Sequence, residues 1–224
     1  VKNSAWGFGG AVQTAAGRLL YDMGGSYYIC SGTAVTDGTS GRSVILTAAH
    51  CVYDDAAKAF ATNVMFIPNQ DGTTGTATDF DCFNDPLGCW APEIGVVDQD
   101  WTTRTFPDNI PWDYAYYVVS DSGSHSGNGS GGALDAAAGT LPIDFLPPYV
   151  DDGDNAAGSL DFTHGLGYSG SDDPNFMYCA DHMTTEGPDN WWLPKCELSG
   201  GSSGGPWVQP MDEATGYGPI ISVN

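Results

Sequence analysis

Positively charged side chains are scarce in this sequence. Its 224 residues include 6 lysines and arginines against 28 aspartates and glutamates, a formal net charge of −22 at pH 7. A surface of this charge repels nucleic acids and anionic membranes, so we expect neither as a partner. Most of the acidic residues are interpreted as solvated surface. The alternative is cation binding, for which the run DDGDN at 151–155 is a candidate calcium loop, although it lacks the full spacing of such loops.

Long apolar runs are also absent. No stretch reaches the roughly 18 consecutive apolar residues that a membrane-spanning helix needs. The sequence does not open with a basic segment followed by an apolar one, so we expect that any export signal has already been removed. Hydrophobic residues nevertheless make up 41% and aromatic residues 12%, which predicts a packed globular core and excludes a disordered chain.

Closely spaced cysteine pairs, the usual zinc-binding pattern, are absent as well. An even number of well-separated cysteines indicates disulfides formed in an oxidising compartment, so we expect a secreted protein. Several connectivities are open, and the simplest joins sequence neighbours: Cys30–Cys51, Cys82–Cys89 and Cys179–Cys196.

Helical patterns are rare, and strand patterns are frequent. Short segments rich in β-branched and aromatic residues, bounded by Gly, Pro, Asn and Asp, predict strands at 26–35, 43–49, 63–68, 93–97, 114–119, 159–168 and 219–223. The segment 54–60 is the one candidate for a helical turn. The pattern predicts an all-β protein. A Gly/Ser-rich stretch at 121–133 is interpreted as a linker between a first domain, 1–120, and a second, 134–224.

Three segments carry residues suited to catalysis. ILTAAHC ends a predicted strand at His50, whose backbone a disulfide at Cys51 would hold in place. PWDYAYYVV places Asp113 at the start of an alternating strand, where its carboxylate is expected to be partly buried. In LSGGSSGGPW, glycines on both sides of a serine allow a sharp turn whose N–H groups face one cavity. Such a turn can bind an oxyanion beside a nucleophilic hydroxyl; an ordinary Gly/Ser turn is the alternative.

Taken together, LTAAHC, WDYAYYVV and GGSSGGPW resemble the trypsin-like, chymotrypsin-fold serine peptidases, in that family's chain order of His, Asp and Ser. CSGTAV and HGLGY fit the same comparison, which covers residues from about 26 to the end. Ser202 stands where many family members have Asp, and the start VKNSAW lacks the family's usual N-terminal motif. These departures make the chain more similar to the bacterial or V8-like branch.

The resemblance implies two antiparallel Greek-key β-barrels with the active site in the cleft between them. It implies His50 as general base, Asp113 as the carboxylate that orients it, and Ser203 as nucleophile. The backbone N–H groups of Gly201 and Ser203 would form the oxyanion hole. Protein or peptide substrates and no cofactor are expected, a structural calcium ion being the exception.

Two other functions are alternatives to peptidase activity. A catalytically inactive relative acting as a binding module would have lost part of this set, but all of it is present. An esterase of the α/β-hydrolase kind would need Gly-x-Ser-x-Gly and the order Ser, Asp, His, which the sequence does not have.

Substrate selection and the chain end give two further expectations. Glu197 stands where trypsin-like enzymes carry the acid that selects Arg or Lys, so Glu197 and Leu198 are the candidate pocket residues. Family members continue beyond the strand that corresponds to GPIISV. We therefore expect a monomer with further polypeptide after Asn224, or one accompanied by a cleaved C-terminal chain.

Overall fold

The computed structural model describes residues 1–76, 79–128, 132–147, 161–186 and 190–224. The candidate calcium loop at 151–155 lies outside the described residues, so its cation stays a prediction.

Short β-strands form most of the regular structure. In chain order they are β1 (Ser4–Ala5), β2 (Ala16–Met23), β3 (Ser26–Val35), β4 (Arg42–Thr47), β5 (Tyr53–Asp54), β6 (Ala59–Phe60), β7 (Thr62–Pro68), β8 (Cys89–Trp90), β9 (Ile94–Val97), β10 (Ala115–Ser120), β11 (His125–Ser126), β12 (Phe162–Gly167), β13 (Met177–His182), β14 (Thr184–Glu186), β15 (Asn190–Trp192), β16 (Pro206–Val208) and β17 (Ile220–Val223).

Helices are few and short. The α-helices are α1 (Gly10–Ala15), α2 (Gln99–Thr103) and α3 (Leu134–Ala138), and single 3₁₀ turns lie at Ala49–Cys51, Gln70–Gly72, Cys82–Asn84, Ile110–Trp112 and Gly170–Asp172.

The strands form two large sheets in which all neighbouring strands are antiparallel. An eight-stranded sheet has the order β11-β8-β7-β2-β3-β4-β10-β9, and a five-stranded sheet has the order β1-β13-β12-β16-β17. The pairs β5–β6 and β14–β15 are separate hairpins. We refer to the two large sheets as the first and the second sheet.

The two sheets pack around two main clusters of buried apolar side chains, and the second cluster also includes Ala16, Val35 and Leu46 of the first sheet. Fully buried side chains of the first cluster include Leu19, Ile45 and Phe66. Those of the second include Leu166 and Phe176. The predicted all-β fold of two antiparallel barrels is confirmed.

The predicted domain bounds, 1–120 and 134–224 around a linker at 121–133, stay a prediction. The structure adds two placements that bear on them. Strand β1, from the predicted first domain, pairs with β13 of the second sheet. Strand β11 lies within the predicted linker and pairs with β8 of the first sheet.

Candidate active site

The pairing of two neighbouring strands brings His50 and Asp113 together. Thr47 ends β4 and Ala115 begins β10, and these two residues are register partners in the antiparallel sheet. His50 follows the end of β4 closely, and Asp113 comes just before the start of β10. Because antiparallel partners end and begin at the same edge, both side chains lie at that edge of the first sheet.

Two hydrogen bonds join His50 to the carboxylate of Asp113. The backbone N–H of His50 donates to Oδ1 at 2.8 Å, and ring Nδ1 lies 2.7 Å from Oδ2. The side chain of His50 is 42% exposed and that of Asp113 is 26% exposed. With the proton of the neutral ring held on Nδ1 by the carboxylate, Nε2 is the nitrogen that can act as a base.

The charge of Asp113 also sets the basicity of the ring. Burial lowers the pKa of His50, but the hydrogen bond to Asp113 and the negative charge of that carboxylate raise it by more. The net result is a His50 pKa above its ordinary value. The pair therefore favours the imidazolium that forms when His50 takes a proton.

The backbone around His50 is anchored on the other side by a disulfide. His50 is the central residue of a 3₁₀ turn whose flanking residues Ala49 and Cys51 are fully buried. Cys51 is bonded to Cys30 of β3, with 6.3 Å between their Cα atoms. The ring is thus held by Asp113 and its backbone by β3.

Ser203 lies next to this disulfide. Its carbonyl oxygen accepts the N–H of Ser31, the residue after Cys30, at 2.7 Å. The same oxygen is 3.8 Å from Sγ of Cys51. Within the described residues, the Ser203 hydroxyl makes no hydrogen bond, including none to His50. Catalytic hydrogen bonds often form only in the substrate complex, so a Ser–His pair need not be bonded before substrate binds.

Glycines allow the loop at 199–205, which we call the Ser203 loop, to approach the first sheet closely. Gly201 and Gly204 have φ angles of 103° and 82°, a region that residues with a side chain rarely adopt. A Cβ on Gly204 would collide with Oγ1 of Thr47 and with the carbonyl of Ser31. The glycine-rich sequence therefore serves contact with the end of β4 and not only a turn.

Among the described residues, the backbone N–H groups of Gly201 and Ser203 have no hydrogen-bond acceptor. Most backbone N–H groups of folded proteins are paired within the protein, so these two remain available to a ligand or to water. Such groups are what a developing oxyanion requires.

Each of these two N–H groups is oriented by a hydrogen bond to the carbonyl of its own peptide unit. In a trans peptide the N–H points away from the carbonyl of the preceding residue, so a hydrogen bond to that carbonyl orients the N–H. The carbonyl of Gly200 accepts the N–H of Gly170 at 2.8 Å, and the carbonyl of Ser202 accepts the N–H of Gly205 at 2.9 Å. Both candidate donors are thus oriented before any ligand arrives.

Asn224 connects this loop to the second sheet, a role that no sequence motif indicates. The N–H of Gly204 donates to the carbonyl of Asn224 at 2.8 Å, and the N–H of Asn224 donates to the carbonyl of Gly205 at 2.9 Å. Its side-chain Nδ2 donates to the carbonyls of Leu166 and Ser202, at 2.6 and 3.1 Å. No sequence pattern marks a lone asparagine at the end of a strand for such a role.

The two candidate pocket residues are placed differently. A cavity of about 810 Å³ borders Asp113 and is lined mainly by apolar side chains, Leu198 and Trp207 among them. Glu197 does not line it. The Glu197 carboxylate is 61% exposed and lies 3.2 Å from Nζ of Lys2, whose carbonyl also accepts the Glu197 N–H. The structure therefore places Glu197 at the surface beside Lys2 and outside this cavity.

The cysteines are all in disulfides, and these join sequence neighbours: Cys30–Cys51, Cys82–Cys89 and Cys179–Cys196. Among the described residues one cluster has metal-ligand proximity, made of Cys30, His50 and Cys51. Its two cysteines are bonded to each other and have no thiolate for a metal. In the ranges that the structure describes, no helix is long and apolar enough to cross a membrane.

Comparison with known proteins finds similarity at the level of structure. No family model and no curated protein matches the sequence. A thermostable serine protease from an extremophilic microorganism superposes with a TM-score of 0.70 at 24% identity, over 96% of this chain and 85% of that chain. The protease Anisep from Arthrobacter nicotinovorans gives 0.68 at 22% identity, over 99% and 87%. A Glu endopeptidase in complex with MPD gives 0.63 at 17%, over 99% and 83%. The chain therefore has the chymotrypsin-type double β-barrel fold of the trypsin-like serine proteases.

Proposed function

We propose that the protein is a secreted serine endopeptidase that cleaves peptide bonds through His50, Asp113 and Ser203. One observation carries the proposal: His50 is bonded to Asp113 at 2.7 Å at the sheet edge where the Ser203 loop presents two unpaired N–H groups. A base held by a carboxylate, a serine hydroxyl on a loop that contacts the end of β4, and an oriented pair of donors form the set that acyl transfer requires.

The first half of the reaction forms an acyl-enzyme. Oγ of Ser203 attacks the substrate carbonyl carbon while Nε2 of His50 takes the hydroxyl proton. The N–H groups of Gly201 and Ser203 hold the oxyanion that develops. The C–N bond then breaks, and His50 gives its proton to the leaving amine. Asp113 keeps the ring in the required tautomer and stabilises the imidazolium.

The second half returns the enzyme to its starting state. Water attacks the ester as His50 takes a water proton, and the same donors hold the second oxyanion. The ester bond breaks, the carboxylic acid leaves, and Ser203 regains its proton from His50. No cofactor is needed for either half.

Secretion is part of the proposal and is supported by the disulfides. Three of them close loops within one chain, and such bonds persist in oxidising compartments. Protein and peptide substrates outside the cell follow from this location.

The test is digestion of fluorescein-labelled casein by the purified protein. We expect release of labelled peptides by the wild type and by the control Ser122→Ala, which changes an exposed serine in the turn after β10. We expect none from Ser203→Ala beyond a residual rate lower by about 10⁴-fold or more. A folded wild-type protein that leaves casein intact would favour the inactive binding module instead.

A further inference from the structure

Ser31 lies beneath the candidate oxyanion hole and contacts the Ser203 loop in two ways. It belongs to β3 of the first sheet and is 1% exposed. Its backbone N–H holds the carbonyl of Ser203, a bond that any residue except proline could make. Its hydroxyl, by contrast, makes bonds that only a side chain with both donor and acceptor capacity provides.

The hydroxyl of Ser31 joins two segments of the second half of the chain. Oγ donates to the carbonyl of Gly201 at 2.8 Å and accepts the N–H of Tyr168 at 2.8 Å. Among the described residues, this is the one donor to the Gly201 carbonyl. Without the hydroxyl, that carbonyl and the Tyr168 N–H would both be buried and unpaired.

These contacts act on both peptide planes that flank Gly201. The plane after Gly201 contains the carbonyl that Ser31 holds directly. The plane before it contains the carbonyl of Gly200, held by the N–H of Gly170, and Gly170 follows Tyr168 closely. Gly201 has no Cβ and a φ of 103°, so these hydrogen bonds, and not side-chain sterics, set its orientation.

A buried arginine supports the same segment. Arg18 of β2 is fully buried, and its Nη1 donates to the carbonyl of Tyr168. Burial lowers the pKa of Arg18 to about 10, so the guanidinium stays charged at neutral pH. The N–H and the carbonyl of Tyr168 are therefore both held from the first sheet, the N–H by Ser31 and the carbonyl by Arg18.

We propose that the hydroxyl of Ser31 is a positioning group for the oxyanion hole, which fixes the Gly201 N–H in the direction that transition-state binding requires. The proposal rests on the proposed peptidase function. Ser31 does not touch substrate in this scheme. Its contribution is to order the donor before the oxyanion forms, which affects the rate of acylation more than the binding of substrate.

The test compares Ser31→Ala with Ser43→Ala in burst kinetics with p-nitrophenyl acetate. Ser43 is a matched control, since it is 1% exposed, lies in β4 of the same sheet and accepts a backbone N–H, that of Asp135, at 3.0 Å. For Ser31→Ala we expect the maximal acylation rate to fall about 10-fold to 100-fold, with the half-saturating concentration changed less than about 3-fold. Ser43→Ala should keep the wild-type rate at a comparable loss of melting temperature.

A readout specific to oxyanion binding separates positioning from mere stability. A peptide boronic acid forms a tetrahedral adduct in the oxyanion hole, whereas a product peptide does not. Ser31→Ala should weaken the boronic acid at least about 10-fold more than the product peptide. If Ser31→Ala folds poorly, Ser31→Gly gives the same comparison.

Two failures can be told apart. No release of p-nitrophenol by the folded wild type above the rate in buffer would overturn the proposed function itself. A wild-type burst together with an unchanged acylation rate in Ser31→Ala would leave the peptidase intact and overturn the role of Ser31.

Discussion

Asp113 binds His50 twice, through Oδ1 to the backbone N–H at 2.8 Å and through Oδ2 to ring Nδ1 at 2.7 Å. One carboxylate thus fixes both the position of the residue and the rotation of its ring. Asp113→Asn would keep the size of the side chain but lose its charge and its ability to accept two bonds of this strength. We expect the casein-digestion rate to fall by about 10⁴-fold in this variant.

The control for this change is Asp121→Asn, at an exposed position in the turn after β10. It should digest casein at the wild-type rate, and both variants should melt near the wild-type temperature. Retention of most activity in Asp113→Asn would show that Asp113 is not the orienting carboxylate.

The pH dependence of activity follows from the raised pKa of His50. Only neutral His50 can accept the proton of Ser203, so activity is lost as pH falls through the folded-state pKa. Because Asp113 raises that pKa, the midpoint of the loss should lie above the ordinary histidine value. In Asp113→Asn the midpoint should move to lower pH. Rates of fluorophosphonate labelling across the pH range measure both midpoints, and a rate that stays constant into acid would exclude His50 as the base.

Removal of the disulfides Cys30–Cys51 and Cys82–Cys89 should lower the free energy of unfolding by different amounts. The Cys30–Cys51 bond closes a separation of 21 residues next to His50, and the Cys82–Cys89 bond closes 7. In the chain-entropy model their loss costs about 3 and about 2 kcal/mol of unfolding free energy. Denaturant unfolding of the two double alanine variants measures these costs.

The two disulfide variants should differ more in labelling rate than in stability. We expect the variant without Cys30–Cys51 to lose labelling rate, because the turn carrying His50 is no longer tied to β3. The variant without Cys82–Cys89 should label at the wild-type rate. Equal rates in both would mean that the first disulfide has no part in placing His50.

Cleavage preference should not depend on Glu197. Its carboxylate faces Lys2 at the surface and is separate from the apolar cavity that Leu198 lines. Glu197→Gln should therefore give the wild-type pattern in a peptide-library digest, whereas Leu198→Ala should change it. A loss of Arg or Lys cleavage in Glu197→Gln would restore the basic pocket that the sequence predicts.

Strand positions could be predicted where one face of the strand is buried. The sequence predicts a strand at 114–119, and β10 spans Ala115–Ser120 with buried and half-buried residues in alternation. Strand β2 gave no such signal, because its first six residues are all buried, including Arg18, and no alternation remains. The helical turn predicted at 54–60 is wrong: its ends belong to the β5–β6 hairpin, where Tyr53 and Phe60 are cross-strand partners with ring centroids 4.9 Å apart.

The candidate site was predictable where function needs a specific side chain in a short motif. His50, Asp113 and Ser203 each lie in such a motif, and the structure brings the first two together. Ser31 and Asn224 could not be found this way, because they act on loop carbonyls. Ser31 is 170 residues from Gly201 in sequence, and only the packing of the two sheets makes them neighbours.

The most direct measurement is to map where a fluorophosphonate attaches to the wild-type protein. Peptide mass spectrometry after labelling at pH 8 should find a single adduct, on Ser203. It should disappear in Ser203→Ala, and its formation should slow by orders of magnitude in His50→Ala while both variants stay folded. An adduct on Ser202, an equal labelling rate without His50, or no adduct at all would contradict the account.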